Sequence, residues 1–171
     1  MTRFRLVPNG STVSAELSSS VHPVHSETRA LSGVIEGELS DEGAPRFELK
    51  HSARLELPAA SMKSGNRLQD MEMLRRLEVR KFPSIEVVVD RAWQVDGTGR
   101  LRASVRVTAH GRTRSFEEDF SLRLEGRRLV VEGEHFFDMR DFDVNPPGLL
   151  GFKVQPQVRI RTRIVADQEE A

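Results

Sequence analysis

"LRASVRVTAHGRTRSFEEDFSLRL", residues 101–124, alternates apolar and polar side chains on both sides of a turn. Before the turn, one face carries Leu101, Ala103, Val105, Val107 and Ala109. After it, one face carries Phe116, Glu118, Phe120, Leu122 and Leu124. A period of two is typical of a β-strand with one buried face, and the glycine of "HGRT" favours a tight turn. The stretch therefore predicts a β-hairpin whose apolar face lies in a core.

The same alternation continues on both sides of this hairpin. Further strands are predicted over residues 12–24, 31–39, 47–57, 85–95, 129–137 and 158–164. About eight such strands with mostly short turns favour an all-β protein, either an antiparallel barrel or a sandwich. Closure into a barrel removes the exposed edges that the strands would otherwise carry.

One segment breaks the strand pattern. Asn66 followed by Gln69 resembles a capping box and predicts a helix that begins near Arg67, and Pro83 is expected to end it. Its apolar stripe is predicted to consist of Leu68, Met71, Leu74 and Leu77, with Met73 and Leu77 reinforcing one side. An amphipathic helix must bury its apolar stripe. Two interpretations stay open: the helix plugs one mouth of a hollow barrel, or it simply covers a sheet face.

Composition narrows the classes of protein. The chain has 171 residues, a formal net charge of +0 and no cysteine. Nucleic acid as a main partner would need a basic excess, and no apolar run approaches the ~20 residues of a membrane helix. The N-terminus carries no apolar signal region. We expect a soluble cytoplasmic protein with a single domain at residues 1–166 and an acidic disordered tail at 167–171.

Four segments, in order, carry a family resemblance. They are "SSVHPVHSETRALSGVIEGEL", "SGNRLQDMEMLRRLEVRKFPSIEVVV", "VTAHGRTRSF" and "FDMRDFDVNPPGLLGFKVQPQVRIR". The chain resembles the YceI-like family of lipocalin-like, isoprenoid-binding barrels over residues 11–165. The resemblance implies an eight-stranded antiparallel barrel with an elongated apolar pore for a polyisoprenoid chain. One departure from the family pattern is Asp143, where glycine is usual.

Ligand-contacting residues follow from the inward faces of the predicted strands and from the helix. They are predicted to be Leu55, Met71, Leu74, Phe82, Ile85, Val87, Val89, Val105, Val107, Phe116, Glu118, Phe120, Val131, His135, Phe137 and Ile160. Met71, Leu74 and Phe82 are expected to close one end of the pore. Desolvation of a long apolar tail would drive binding at roughly 25 cal/mol per Å².

His51, Glu118 and His135 fall on the apolar faces by alternation. Buried ionisable groups need partners. Three hypotheses stay open: separately satisfied residues, a hydrogen-bonding site for the polar head of a ligand, or a catalytic or zinc-binding group. The last would make the protein a small-barrel enzyme.

Other polar clusters favour ordinary structural roles. His22, His25 and Glu27 could ligate zinc, but strand geometry turns the two histidines to opposite faces, so no metal or cofactor is predicted. Arg159, Arg161 and Arg163 are expected on the outer surface, opposite acidic residues such as Glu117 and Asp119. Leu149, Leu150 and Phe152 could form a hydrophobic rim at the mouth, or they could belong to a loop that packs against the barrel.

The favoured function is a binding or carrier protein for a long apolar or amphipathic ligand, with a polyisoprenoid first among the candidates. The alternatives are the enzyme just described and a protein–protein adaptor whose barrel is packed solid. A cavity in the barrel would separate the carrier from the adaptor. The sequence leaves a homodimer open and names no pathway.

Overall fold

The computed structural model describes residues 2–40, 46–49, 53–95, 99–146, 148–149 and 152–170. Its helix is α1 (Arg67–Arg76), which lies between the sixth and seventh strands. The strands are β1 (Thr2–Leu6), β2 (Thr12–Ser19), β3 (Val24–Thr28), β4 (Ser32–Ser40), β5 (Arg46–Leu49), β6 (Ala53–Pro58), β7 (Ser84–Val95), β8 (Arg100–Ala109), β9 (Arg112–Glu125), β10 (Arg128–Asp138), β11 (Gly148–Leu149) and β12 (Phe152–Gln168).

The strands form a closed antiparallel barrel. β7 to β10 pair in sequence order, β10 pairs with β12, and β12 pairs with both β2 and β1. β2 pairs with residues 154–163 of β12, and β1 pairs with residues 166–168 of β12. These two short strands therefore follow one another along the same edge of β12. β1 pairs with β4, and β4 pairs with β5 and β6, which both pair with β7, while β3 pairs with β2. The predicted eight-stranded antiparallel barrel is confirmed.

One end of the barrel is closed by packed side chains. Phe4 of β1, Leu129 of β10 and Ala166 of β12 are exposed by only 0%, 1% and 0%. They belong to one cluster with Leu101 and Leu122 of the central hairpin. This is the deepest part of the core, and its residues come from both ends of the chain.

The other end is covered by α1 and by a 3-10 turn at Met139–Phe142. Met73 and Leu77 pack with Phe142 and with strand-end residues such as Leu17 and Phe137. The helix therefore covers a mouth of the barrel, which was one of the two interpretations of its apolar stripe.

Two strand predictions need correction. Residues 12–24 form two strands, because the chain bends at 20–23, where the Ser19 hydroxyl accepts hydrogen bonds from the Val21 and His22 amides. β1 was missed altogether, although it alternates buried Phe4 with exposed Arg5. A five-residue strand gives too short a pattern to separate from a loop.

The predicted disordered tail starts too early. β12 continues to Gln168, and Asp167 lies opposite Arg128 of β10 in the ladder. The Arg128 side chain donates two hydrogen bonds to the Asp167 carboxylate. Glu169 then donates its amide to the Arg3 carbonyl oxygen. These acidic residues are paired with arginines and backbone groups, which is why they are ordered.

The start of α1 is as predicted, and its end is not. The Asn66 side chain accepts hydrogen bonds from the Leu68 and Gln69 amides. The helix ends at Arg76, well before Pro83, because Glu78 adopts a left-handed φ of 48°. The Glu78 and Val79 amides then bond back to carbonyls of the last turn, which is the arrangement of a Schellman cap.

Only one side of the predicted apolar stripe of α1 faces the barrel. Leu68 and Met71 are exposed by 67% and 56%. The face turned to the barrel carries Met73 and Leu77, four residues apart on one side of the helix. Both stripes have helical spacing, so periodicity alone could not choose between them.

Several predictions concern residues outside the described ranges. His51 and Leu150 are not among the described residues, so the triplet with Glu118 and His135 is reduced to a pair, and the proposed apolar rim is left without its middle residue. In the part of the chain that is described, no helix has the length and apolarity needed to cross a membrane.

Candidate functional site

The barrel encloses a cavity of about 320 Å³. Its wall includes side chains from β2, β4, β6, β7, β8, β9, β10 and β12, and from α1 at the covered end. Aliphatic and aromatic residues make up most of this wall, and the described part of it contains no lysine or arginine. A volume at the lower end of the ~300–1,000 Å³ range of ligand pockets, with an apolar wall, suits a small apolar molecule or tail.

Most of the predicted ligand-contacting residues lie on the cavity wall. The strand residues that line it are Leu55, Ile85, Val87, Val89, Val105, Val107, Phe116, Phe120, Val131, His135, Phe137 and Ile160. They come from the inward faces of six neighbouring strands, β6 to β10 and β12. Alternation located them because each strand turns every second side chain to the interior.

Four predicted residues do not line the cavity. Met71 is on the outer face of α1, and Leu74 is only partly buried beside it. Phe82 packs instead against the β8–β9 turn, with its ring edge-on to His110 at 5.1 Å. Glu118 touches the wall only through His135. Met71, Leu74 and Phe82, which were expected to close one end of the pore, thus lie away from the cavity wall.

The covered end is formed by residues that were not among the predicted ligand contacts. The cavity there is lined by Met62, Met73, Leu77, Met139 and Phe142. Three of these are methionines, whose flexible side chains fit irregular space. The alternative helical stripe of Met73 and Leu77 was the available signal in the sequence. The segment "MRDF" gave none, because a 3-10 turn has no strand or helix period.

His110 ties the helical segment to the barrel. Its Nε2 contacts the Glu78 carboxylate just after α1, and its Nδ1 lies 2.8 Å from the carbonyl oxygen of Phe142. Gly111, with φ of 71°, leaves room for the Phe82 ring, which would lie 2.8 Å from a Cβ at this position. These contacts fix the lid of α1 and the 3-10 turn over the mouth.

One cavity-wall residue, His135, is paired with a carboxylate beside the wall, that of Glu118. His135 Nδ1 is 2.8 Å from Glu118 Oε2. Glu118 lies opposite Ala103, a residue of the cavity wall, so it stands on the inner face of β9. The His135 ring stacks on Phe116 at 3.8 Å between centroids and meets Phe137 edge-on at 4.6 Å. The structure thus brings together two of the three ionisable residues that the sequence singled out.

The pair lies where two neighbouring strands separate. β9 and β10 form a ladder from Arg128–Glu125 to Glu132–Ser121, and no pairing continues beyond it, although both strands do. At the point of separation the Phe120 ring covers Gly133, where an added Cβ would fall 1.9 Å from the ring. Continuing the register would set His135 opposite Glu118. We call this unpaired interval, residues 112–120 and 133–138, the seam.

The outer surface carries the predicted arginine stripe, but with different partners. Arg159 and Arg161 both contact Glu134, at 2.8 and 3.2 Å, and Arg163 contacts Glu132 at 3.5 Å. The hydrogen bond from Arg159, followed by a weaker one from Arg161, holds the pKa of the Glu134 carboxyl below its ordinary value. Glu117 and Asp119 lie on β9, which separates from β10 at the seam. Asp119 pairs with Arg102 instead.

The candidate zinc ligands near the N-terminus are spread out. His25 Nε2 lies 3.9 Å from Glu27 Oε2, while His22 Nδ1 contacts the carbonyl oxygen of Pro23. Within the described ranges there is no group of three or more histidine, cysteine, aspartate and glutamate side chains that could hold a metal ion.

Comparisons with known proteins identify one family and a common fold. A family model described as a YceI-like domain matches residues 4–166. No curated protein matches the chain. Among solved structures, BcnA of Burkholderia cenocepacia is similar with a TM-score of 0.75 and 16% identity, over 94% of this chain and 98% of that one.

Two further solved structures have the same fold. A polyisoprenoid binding domain from Saccharophagus degradans, implicated in plant cell wall breakdown, gives a TM-score of 0.73 at 14% identity, over 97% of this chain and 98% of that one. The YceI protein of Campylobacter jejuni gives 0.63 at 12% identity, over 86% of each chain. At these identities the likeness shows a common fold.

Proposed function

The chain belongs to the YceI-like family, and from that premise we propose that it binds a long apolar or amphipathic ligand, with a polyisoprenoid lipid as the first candidate, inside its barrel. The observation that carries the proposal is the apolar cavity of about 320 Å³ beneath the α1 lid. The name of the Saccharophagus degradans relative, a polyisoprenoid binding domain, supports the choice of ligand class.

Binding would draw on the burial of apolar surface. At roughly 25 cal/mol per Å², each ~100 Å² of ligand surface removed from water contributes about 2.5 kcal/mol before the cost of ordering the chain. A flexible tail can adapt to the cavity because its covered end is lined by methionines, including Met62, Met73 and Met139. The affinity should therefore rise with tail length until the cavity is filled.

The competing hypotheses fit the cavity less well. A solid-core adaptor has no use for an apolar cavity of this size. A catalytic role would use the Glu118–His135 pair as an acid or base, but the wall around it is made of aromatic rings, Phe116 and Phe137, that offer no reacting group. We therefore assign the pair to ligand recognition.

A fluorescence titration tests the proposal. All-trans-retinol is an isoprenoid whose fluorescence rises in apolar surroundings, and we expect one equivalent to bind. Unlabelled isoprenoid alcohols of ten, fifteen and twenty carbons should displace it with increasing potency. Absence of retinol uptake by the folded protein, at micromolar concentrations of both, would contradict the proposal.

A further inference from the structure

The seam makes one part of the cavity wall chemically different from the rest. The neighbouring ladders β8–β9 and β10–β12 continue through this region, whereas here β9 and β10 run side by side without ladder bonds. Unpaired backbone groups need water or another polar partner. Glu118 and His135 stand at this interval, with 35% and 25% of their side chains exposed. The seam is thus a polar and partly solvated strip in an otherwise apolar wall.

The hydrogen bond to Glu118 decides what His135 can offer a ligand. A carboxylate can only accept, so the Nδ1 atom of His135 carries the donated proton. In a neutral imidazole the other nitrogen, Nε2, then holds a lone pair and is an acceptor. Among the described residues, Nε2 has no hydrogen-bond partner. The ring is fixed by its contacts with Phe116 and Phe137, so this acceptor is held in place.

The charges around the seam disfavour an anionic group at that acceptor. The Glu118 carboxylate lies on the other side of the imidazole ring, and the described wall carries no lysine or arginine to offset it. Arg102 and Arg159 on the neighbouring strands are engaged, with Asp119 and with Glu134. Arg112 and Arg114 lie in the seam on the inward face of β9, opposite Ala109 and Val107, and Arg112 faces Asp143 at 3.7 Å. Arg114 is four positions from Glu118, about 13 Å along the strand, whereas the Glu118 carboxylate contacts the imidazole directly. Placing a phosphate or carboxylate here would bring two negative charges close together, which disfavours the charged form of both groups.

We propose that His135 Nε2 accepts a hydrogen bond from an uncharged hydroxyl group of the ligand, so that the cavity prefers long-chain isoprenoid alcohols to the corresponding phosphates. The inference rests on the proposed function and names the head group that the same cavity selects. His135 makes the contact, and Glu118 is a positioning residue that fixes the tautomer. The tail occupies the cavity, and the hydroxyl lies at the seam.

Three matched ligands test this selectivity by displacement of retinol. They are geranylgeraniol, its methyl ether and geranylgeranyl phosphate, which share one tail and differ in the head. The methyl ether cannot donate a hydrogen bond. We expect wild type to bind the alcohol about threefold to tenfold more tightly than the ether, which is the ratio that one net hydrogen bond gives, and to bind the phosphate most weakly.

Two variants separate the roles of the pair. His135→Phe keeps an aromatic ring on Phe116 and removes the hydrogen-bond acceptor. The variant should therefore bind the alcohol only as tightly as the ether, and its affinity for the ether should stay within about twofold of that of wild type. Glu118→Gln keeps an oxygen that accepts the Nδ1 proton and removes the charge. It should retain the preference for the alcohol and narrow the gap to the phosphate.

The outcomes are distinct. Equal affinity of wild type for alcohol and ether, an alcohol preference that survives in His135→Phe, or a preference for the phosphate would each overturn the inference while leaving the proposed function intact. Failure of wild type to bind any of the three tails would overturn both. If His135→Phe does not fold, the wild-type affinities for the three ligands and those of Glu118→Gln still test the inference.

Discussion

Replacing Val87 with tryptophan asks whether the barrel is hollow. Val87 lies on β7 between Leu55 of β6 and Val107 of β8, and all three side chains line the cavity. A tryptophan at this position extends its ring into the space that we assign to the ligand tail. We therefore expect ligand binding to suffer much more than folding.

The expected size of the effect follows from the volume. Tryptophan adds about seven non-hydrogen atoms to valine, roughly 100 Å³ in total if each takes about half of the ~30 Å³ share of a liquid water molecule. That is about a third of the cavity of about 320 Å³. Excluding only ~60 Å² of apolar ligand surface, at about 25 cal/mol per Å², lowers the affinity roughly tenfold.

The effect on folding distinguishes a hollow barrel from a solid one. In a close-packed core the added bulk costs about 1–3 kcal/mol, which lowers the thermal midpoint of a chain of this length by roughly 2–12 °C. In a hollow barrel we expect a shift below about 2 °C. Leu122→Trp is the control, because Leu122 is buried in the packed cluster and does not line the cavity.

The measurement pairs thermal unfolding, followed by circular dichroism, with retinol titration of wild type and both variants. Val87→Trp should lose at least tenfold in retinol affinity and melt close to wild type, whereas Leu122→Trp should melt far lower. The reasoning fails if Val87→Trp melts as low as Leu122→Trp, or if it binds retinol as well as wild type does.

Three further predictions concern stability. Asp143 has a left-handed φ of 57°, which favours glycine, so Asp143→Gly should raise the unfolding free energy. The expected gain is about 0.5 kcal/mol after the extra freedom of glycine in the unfolded chain is deducted. It is measured as a higher midpoint in a urea titration, and a lower midpoint would contradict this. Gly111→Ala adds a Cβ 2.8 Å from Phe82 at a φ of 71° and should cost about 1–3 kcal/mol, measured by the same titration; an unchanged midpoint would show that the contact is absent. Hydrogen bonds from Arg128 lower the pKa of the Asp167 carboxyl, so the stability that they give is present above the ordinary aspartate pKa of about 3.9 and is lost as pH falls through the lowered value. Between pH 6 and pH 2 wild type should therefore lose more unfolding free energy than Asp167→Asn, and equal losses would argue against the pair.

The strands of the barrel could be predicted because each buries one face. β8 and β9 alternate apolar and polar residues over their whole length, and the inward positions that alternation gave, such as Val105 and Phe120, do line the cavity. The N-terminus of α1 could be predicted for a local reason as well, since Asn66 caps amides two and three residues away. Both signals are contained within a few residues of sequence.

The face of α1 could not be predicted, because it depends on what the helix meets. Leu68 and Met71 form as regular a stripe as Met73 and Leu77, and only the position of the barrel mouth decides which is buried. The C-terminus of α1 could not be predicted for a related reason. Glu78 adopts a conformation that favours glycine, and its carboxylate contacts His110 on a distant hairpin.

The contact between Glu118 and His135 was also beyond sequence reasoning. The two residues are 17 positions apart, on strands whose ladder ends before it reaches them. Alternation correctly put both on inward faces, but their approach depends on the register of β9 and β10 and on the separation that Phe120 makes over Gly133. Such a separation leaves no periodic mark in the sequence.

Native mass spectrometry of the protein, purified without detergent from the cells that make it, tests the central claim most directly. The account predicts a population whose mass exceeds that of the 19.3 kDa chain by one small lipid. Organic extraction should remove the added mass, and the extract should contain a molecule with an isoprenoid chain, whereas the Val87→Trp variant should carry much less of it. A protein that appears only at its bare mass, and that takes up no isoprenoid when one is added, would contradict the account.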